Sequence, residues 1–227
     1  MPRLGTRYNI VMNAISNIIS GIIKNIKIAF LCVLGRIKVY RWPMFVIYDP
    51  KGYDVKASGI RLAMGMARKG DIFVRRYRNY MDGFFIPGRF SHSGLYIGDG
   101  VIIHAMSAGV QKIDVIDFLR CDGFAILRPK SWISEEMIDK ACAFALSKLG
   151  SEYDFDFDAY DSDMSSNEKF YCHELVRKCY PGLEIPKETP SLWNGMIKSK
   201  KLVYLAQSFF DSPDIEVVYD SDFSTVK

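Results

Sequence analysis

One cysteine and two histidines carry the chemistry open to this chain. In Phe170-Tyr171-Cys172-His173-Glu174-Leu175-Val176 a polar loop runs into residues with helical spacing, Leu175, Val176 and Cys179, which puts Cys172 at a helix N-terminus. There the unsatisfied N–H groups and the positive end of the dipole lower a thiol's pKa, and the same N–H groups can receive the oxyanion of an acyl-transfer intermediate. A nucleophilic thiol needs a base, and a base needs a second polar group to orient its ring. His92 and His104 are the pair available, joined through Gly98-Asp99-Gly100. A hairpin turn at those three residues would lay the two histidine-bearing strands side by side, close enough for the rings to hydrogen-bond. Bland readings compete with each. A small buried cysteine is the ordinary reading, and it is the one assigned to Cys32, Cys121, Cys142 and Cys179. A histidine pair in a sheet is commonly structural when no nucleophile is in view.

Metal chemistry is poorly served by the spacing. Asp154, Asp156 and Asp158 mimic the first three ligands of an EF-hand loop, but Ala159 replaces its glycine and Ser165 stands where the bidentate glutamate belongs. Cys172 and His173 lack spaced partner ligands. No metal and no organic cofactor is expected.

The elements around these residues follow from periodicity and punctuation. After Lys69 come short β-prone runs bounded by glycine and proline, Asp71 to Val74, Ser93 to Ile97, Val101 to Ala105 and Phe124 to Leu127, which predict a small, largely antiparallel sheet. Ile133 to Leu149 has a helical apolar pattern with Ser134 as N-cap, Glu135 and Glu136 in the first turn, and Gly150 as stop. Arg75-Arg76-Tyr77-Arg78 interleaves an aromatic with charge as single-strand binders do, yet no stacking motif follows, and it is read as a solvated loop beside the site. The stretch from there to Phe90, rich in Tyr, Phe and Gly, is read as a flexible wall over the cleft. The tail after Pro181 is expected to pack beside the sheet, with a strand-like run at Leu202 to Leu205, and to fray at its acidic end.

The 227 residues are 49% hydrophobic and 25% charged, the composition of a packed domain and not of a disordered or fibrous chain. Five cysteines without a C-x-x-C pair suggest neither a disulfide framework nor a zinc ribbon, so a reducing, cytoplasmic setting is expected. The net charge of +4 hides an asymmetry: residues 1–48 hold seven Lys/Arg and no acid, leaving 23 basic against 26 acidic residues in the remainder. Within that leader, apolar residues from Val11 to Ile37 recur at helical spacing, with Asn13, Asn17, Ser20, Lys24 and Asn25 opposite. The uncharged run Ile28 to Gly35 is far shorter than the roughly 20 residues a span needs, and no cleavage site follows. Two readings stand: an amphipathic helix on an anionic membrane surface, giving peripheral membrane association, or a helix packed across the domain's own core. Arg41 to Pro50 reads as a turn or linker, dividing a leader at 1–48 from a domain at 49–227.

Three segments together resemble the permuted papain-fold cysteine amidases of the YiiX/YebB type, relatives of NlpC-type peptidases and of lecithin retinol acyltransferase. They are Lys69-Gly-Asp-Ile-Phe73 with Ile86-Pro-Gly-Arg-Phe-Ser-His-Ser-Gly-Leu-Tyr-Ile-Gly98; Val101-Ile-Ile-His-Ala105 through Gly109-Val110 to Asp117-Phe-Leu119 and Leu127-Arg-Pro129; and Gly150-Ser-Glu-Tyr-Asp154 with Phe170 to Val176. The likeness spans about residues 60–180, histidine before cysteine. It implies an α+β, circularly permuted papain-like fold, a small antiparallel sheet packed on helices, here with an N-terminal amphipathic helical extension. By position it makes Cys172 the nucleophile, His92 the general base and acid, and His104 the residue that orients His92. YiiX-like members usually carry a glutamate at the last position, while the acyltransferase-like and NlpC-type members carry a histidine. Tyr171 is a candidate for shaping the oxyanion site. The activity implied is cleavage of an amide bond, γ-glutamyl or isopeptide-like, through an acyl-enzyme. The alternatives are a lipid acyl hydrolase or acyltransferase at a membrane surface, favoured by His104 and the basic leader, and a non-catalytic membrane-binding module. The partners expected are a peptide or lipid acyl substrate and an anionic membrane surface through residues 1–48, with nucleic acid not expected.

Overall fold

The computed structural model describes residues 4–34, 37–41, 44–48, 53–78, 86, 88–130, 132–155, 157, 169–189, 191–192, 197–198 and 202–223. At its centre is a six-stranded sheet of β1 (Ile72–Arg76), β2 (His92–Gly98), β3 (Val101–Met106), β4 (Gly109–Asp114), β5 (Gly123–Pro129) and β6 (Ile215–Asp220). The order across the sheet is β6-β5-β1-β2-β3-β4, and every pairing is antiparallel. The helices are α1 (Leu4–Leu34), α2 (Ala57–Met66), α3 (Val115–Phe118), α4 (Glu135–Ser147), α5 (Cys172–Cys179) and α6 (Ala206–Phe210). Mixed helix and antiparallel sheet is the expected α+β class.

Both faces of the sheet are covered, which is why β1, β3 and β5 read as continuous apolar runs with little polar alternation. Successive residues go to opposite cores: Ile72, Val74, Leu95 and Ile103 lie with Ala141 of α4 and Leu175 and Val176 of α5, whereas Phe73, Ile102, Phe124 and Ile126 lie with Ala63 of α2 and Phe118 of α3. The β2–β3 hairpin turns at the expected place, with Gly98 and Gly100 at positive φ and Asp99 at φ 51°. Ser134 caps α4 by accepting the N–H of Met137 at 3.3 Å.

Several motif residues serve this framework. Asp71, 1% exposed, takes Arg128 in a two-pronged pair, Nε and Nη2 each 2.7 Å from a carboxylate oxygen, and so ties the start of β1 to the end of β5. Gly109 sits at φ 106° where a Cβ would lie 2.5 Å from the carbonyl oxygen of Ser151. That close approach lets Val110 exchange two backbone hydrogen bonds with the Gly150-Ser151 stop after α4, both 2.9 Å.

The structure corrects three expectations. Residues 44–48, inside the stretch read as a linker, pair as an antiparallel strand with Ile37–Arg41. The acidic tail does not fray after Leu205. Ile215–Asp220 adds the edge strand β6, and Asp222 and Asp220 bind Arg76 and Arg89, while Leu202 to Leu205 contributes only a bridge between Val203 and Glu188. The Arg75–Arg78 cluster is not a solvated loop: Arg75 and Arg76 belong to β1, and only Arg78 is largely exposed, facing Asp54. Asp156, Asp158 and most of the stretch between Arg78 and Arg89 lie outside the described residues, as does the side chain of Cys32. The other four cysteines are buried free thiols.

Candidate active site

β2 and β3 carry the two histidines on one face. His92 Nε2 lies 2.8 Å from His104 Nδ1, with the rings edge-on at 72°. The contact is diagonal, because Leu95 pairs with Ile103 and so Gly94, not His92, stands opposite His104. Gly94 makes the contact possible. A Cβ there would lie 2.5 Å from Cγ2 of Ile102 and 3.3 Å from Cβ of His104, so any side chain would push His104 away from His92. Gly94→Val is expected to cost about 1–3 kcal/mol of stability through overpacking and to break the histidine pair; urea unfolding and histidine NMR shifts would check both.

Phe118 floors the pair at 5.7 Å from His92 and 6.0 Å from His104. On the same ring lies the Arg75 guanidinium, 4.4 Å from its centroid, with Nη1 donating to the Phe118 carbonyl at 3.0 Å. Arg75 is 4% exposed and no carboxylate pairs with it among the described residues. A fixed buried cation therefore stands beside both imidazoles. Burial, and then Arg75, drive His92 well below the ordinary histidine value and His104 down to about 3, so both are neutral.

Cys172 is the first residue of α5, with Tyr171 as N-cap, as the helical spacing predicted. The N–H groups of Ser93, His173 and Cys172 itself face the sulfur and favour thiolate, as does Arg75, but burial outweighs them and pushes the thiol up to about 11. The expected lowering by the helix terminus is thus outweighed in the resting chain, where Cys172 is only 4% exposed and burial disfavours the thiolate. The structure brings His92 and His104 into contact but forms no hydrogen bond between Cys172 and His92. The link between nucleophile and base is instead one residue removed. His173, after Cys172, holds Ser93, after His92, through Nδ1···Oγ at 2.9 Å. Sequence reasoning passed over this clamp, whose only signal is a polar residue directly following each of the two reactive ones.

Tyr171 is 1% exposed, and its hydroxyl accepts the Tyr204 N–H at 2.7 Å, which pins the segment before α6 to the start of α5. Gln111 of β4, opposite His104, reaches its Nε2 at 3.4 Å and is a second residue the sequence did not flag. Among the described residues no group of three or more His, Cys, Asp and Glu is arranged to hold a metal ion.

Two comparisons bear on the family and the fold. The family model described as permuted papain-like amidase enzyme, YaeF/YiiX, C92 family, matches residues 66–219, which takes in His92, His104, Cys172 and all but the last residue of the edge strand β6. The crystal structure titled metalloprotein yiiX from Escherichia coli O157:H7 superposes with a TM-score of 0.55 at 20% identity, over 68% of this chain and 97% of that one. No curated protein matches the chain.

Proposed function

Because the chain belongs to the permuted papain-like amidases of the YaeF/YiiX (C92) family, we propose that it cleaves an amide bond of a γ-glutamyl or isopeptide-like substrate with Cys172, His92 and His104. The observation that carries the reading is the buried, neutral His92–His104 pair at 2.8 Å beside a helix whose first residue is a cysteine. His92 spends Nε2 on His104, which leaves Nδ1 as the nitrogen for the thiol proton. For Nδ1 to hold a lone pair, His92 must donate from Nε2 and His104 must accept at Nδ1, so His104 carries its own proton on Nε2. This tautomer requires the Gln111 amide oxygen to face His104 Nε2 in place of the Gln111 Nε2 that lies 3.4 Å from it, a flip that the exposed amide is free to make.

In the reaction the Cys172 proton passes to His92 Nδ1 as the sulfur bonds the carbonyl carbon. The oxyanion is received by N–H groups at the start of α5, where Cys172 and His173 have no intrahelical partners. His92 returns the proton to the leaving amine as the C–N bond breaks. Water then gives its proton to His92 Nδ1 as it attacks the thioester, and as the C–S bond breaks His92 returns that proton to the sulfur, so that the acid leaves with the Cys172 thiol restored. The resting structure holds the sulfur on backbone N–H groups, so substrate binding must bring Cys172 and His92 together, as catalytic hydrogen bonds often tighten only in the complex. Tyr171 serves the oxyanion site indirectly, by holding the N-cap.

The structural neighbour yiiX is described as a metalloprotein, which invites a metal-dependent alternative. The donor set here does not suit one: the facing nitrogens of His92 and His104 are spent on each other, and among the described residues no third ligand joins them. The test is a panel of γ-glutamyl p-nitroanilides and isopeptides, with quenched reactions read by intact mass. The expected result is turnover that survives chelation and an acyl adduct mapped to Cys172. Turnover that survives Cys172→Ala, or that chelation abolishes, sinks the reading.

A further inference from the structure

The mixed core and site leave α1 unexplained. It is a continuous 31-residue helix, and its large apolar residues lie in solvent: Ile15, Ile18, Ile19, Ile22, Ile26 and Phe30 are all 45–63% exposed. At 3.6 residues per turn they, with Ile23 and Val33, fill one arc of roughly 140°. The opposite side holds Asn13, Ser16, Asn17, Ser20, Lys24 and Lys27. The orientation of this helix is what matters. Lys24, opposite the apolar arc, forms an ion pair with Glu152 of the body at 3.0 Å, and Lys24 and its neighbour one turn on, Ile28, are partly covered. The polar side faces the domain and the apolar arc faces away, so the reading in which the helix packs across its own core is not what forms. An apolar stripe about 27 Å long from Ile15 to Val33, turned outward by a polar tether, calls for a cover that the described residues do not supply.

We infer that α1 lies in the surface of an anionic lipid bilayer, its isoleucine arc among the upper acyl chains and its domain held above the headgroups. Charge complementarity selects this occupant. Residues 1–48 carry seven Lys/Arg and no acid, so an anionic surface attracts the leader while a second copy of it would bring like charges together. Among the described residues no helix is long and apolar enough to cross a membrane, and an amphipathic helix with an apolar arc and only basic charges lies in the interface plane. The inference rests on α1 alone and stands or falls separately from the amidase reading.

The test uses the full chain and sedimentation with vesicles of neutral phosphatidylcholine, or of phosphatidylcholine with 30% phosphatidylglycerol, at two salt concentrations. Strong binding to the anionic vesicles only, weakened several-fold from 0.1 M to 0.5 M NaCl as the screening length shortens, is expected. Ile18→Asp with Ile22→Asp should reduce it by at least about tenfold. Both positions are exposed, so folding and p-nitroanilide turnover in solution are unchanged, and circular dichroism checks the former. Three results overturn the inference: no binding, equal binding to neutral vesicles, or wild-type binding by the double variant. A dimer seen by light scattering that the double variant dissolves, without vesicle binding, would assign the arc to a second copy instead.

Discussion

Cys172→Ala is expected to bring amide turnover to the uncatalysed background, a loss on the order of 10⁴-fold or more, and His92→Ala to come within about tenfold of that. The double variant should be no worse than Cys172→Ala alone, because a nucleophile and its base act as one unit. His104→Ala should cost less, on the order of 10²-fold, since it acts through the orientation and tautomer of His92 without touching the substrate. A structural role alone would move stability; a positioning role also moves the pH profile. His104→Glu provides that readout: a carboxylate facing His92 Nε2 stabilises the imidazolium, so His92 would titrate at higher pH and the acid limb of kcat/KM would shift upward. The resting thiol offers a further check. With Cys172 pushed up to about 11 and His92 neutral, the pair is thiol and imidazole, not a preformed ion pair. Iodoacetamide should therefore label Cys172 at a rate that keeps rising through pH 9, with no plateau on the acid side. A plateau near pH 5 would show a stable thiolate and contradict the geometry.

The elements that hold this site were legible because their signals are local. A glycine-bracketed turn at Gly98-Asp99-Gly100 forces a hairpin wherever two apolar runs flank it, and that single inference places His92 and His104 together. Ser134 before Glu135 and Glu136 marks the start of α4 for the same reason, since capping needs only neighbours along the chain. What escaped is decided by partners far away in sequence. β6 alternates Glu216 and Asp220 with Ile215 and Tyr219, and nothing in the acidic tail says that Arg76 and Arg89 wait more than a hundred residues upstream. Arg75 looked solvated in a run of basic residues, but register with His92 puts it under Phe118. The pKa of Cys172 was misjudged for a related reason: the helix terminus is visible in sequence, whereas the burial that outweighs it is not. Gly94 is intermediate, because its necessity follows only once His92 and His104 are known to share a face.

Stability should fall steeply as pH drops below the ordinary histidine range, because all three histidines are buried and neutral. Burial is the leading cause for each; Arg75 adds to it for His92 and His104, and His173 is held at about 3 by burial alone. The unfolded chain binds protons near pH 6.5, while in the folded chain His104 and His173 refuse them until about pH 3 and His92 titrates well below its ordinary value. Unfolding therefore takes up protons throughout that window, so the stabilisation is complete above pH 6.5 and is lost as pH falls. Each imidazole that stays neutral costs about 2 kcal/mol by pH 5, against a total of roughly 5–15 kcal/mol for an ordinary domain. The 2.8 Å contact couples His92 and His104, so they titrate as a unit. His173 makes no hydrogen bond to the pair and only adds weakly to the lowering of His92: its Nδ1 is held by Ser93, and its Nε2 is buried without a partner among the described residues, with Phe209 alongside. Urea midpoints between pH 7 and pH 5 should drop continuously, with a slope approaching three protons taken up on unfolding. His173→Gln should remove one of those three while leaving the His92–His104 share in place. A midpoint independent of pH across this range would mean that the imidazoles are charged or hydrated in the folded chain, and the dry, neutral pair on which the proposed proton transfer depends would go with it.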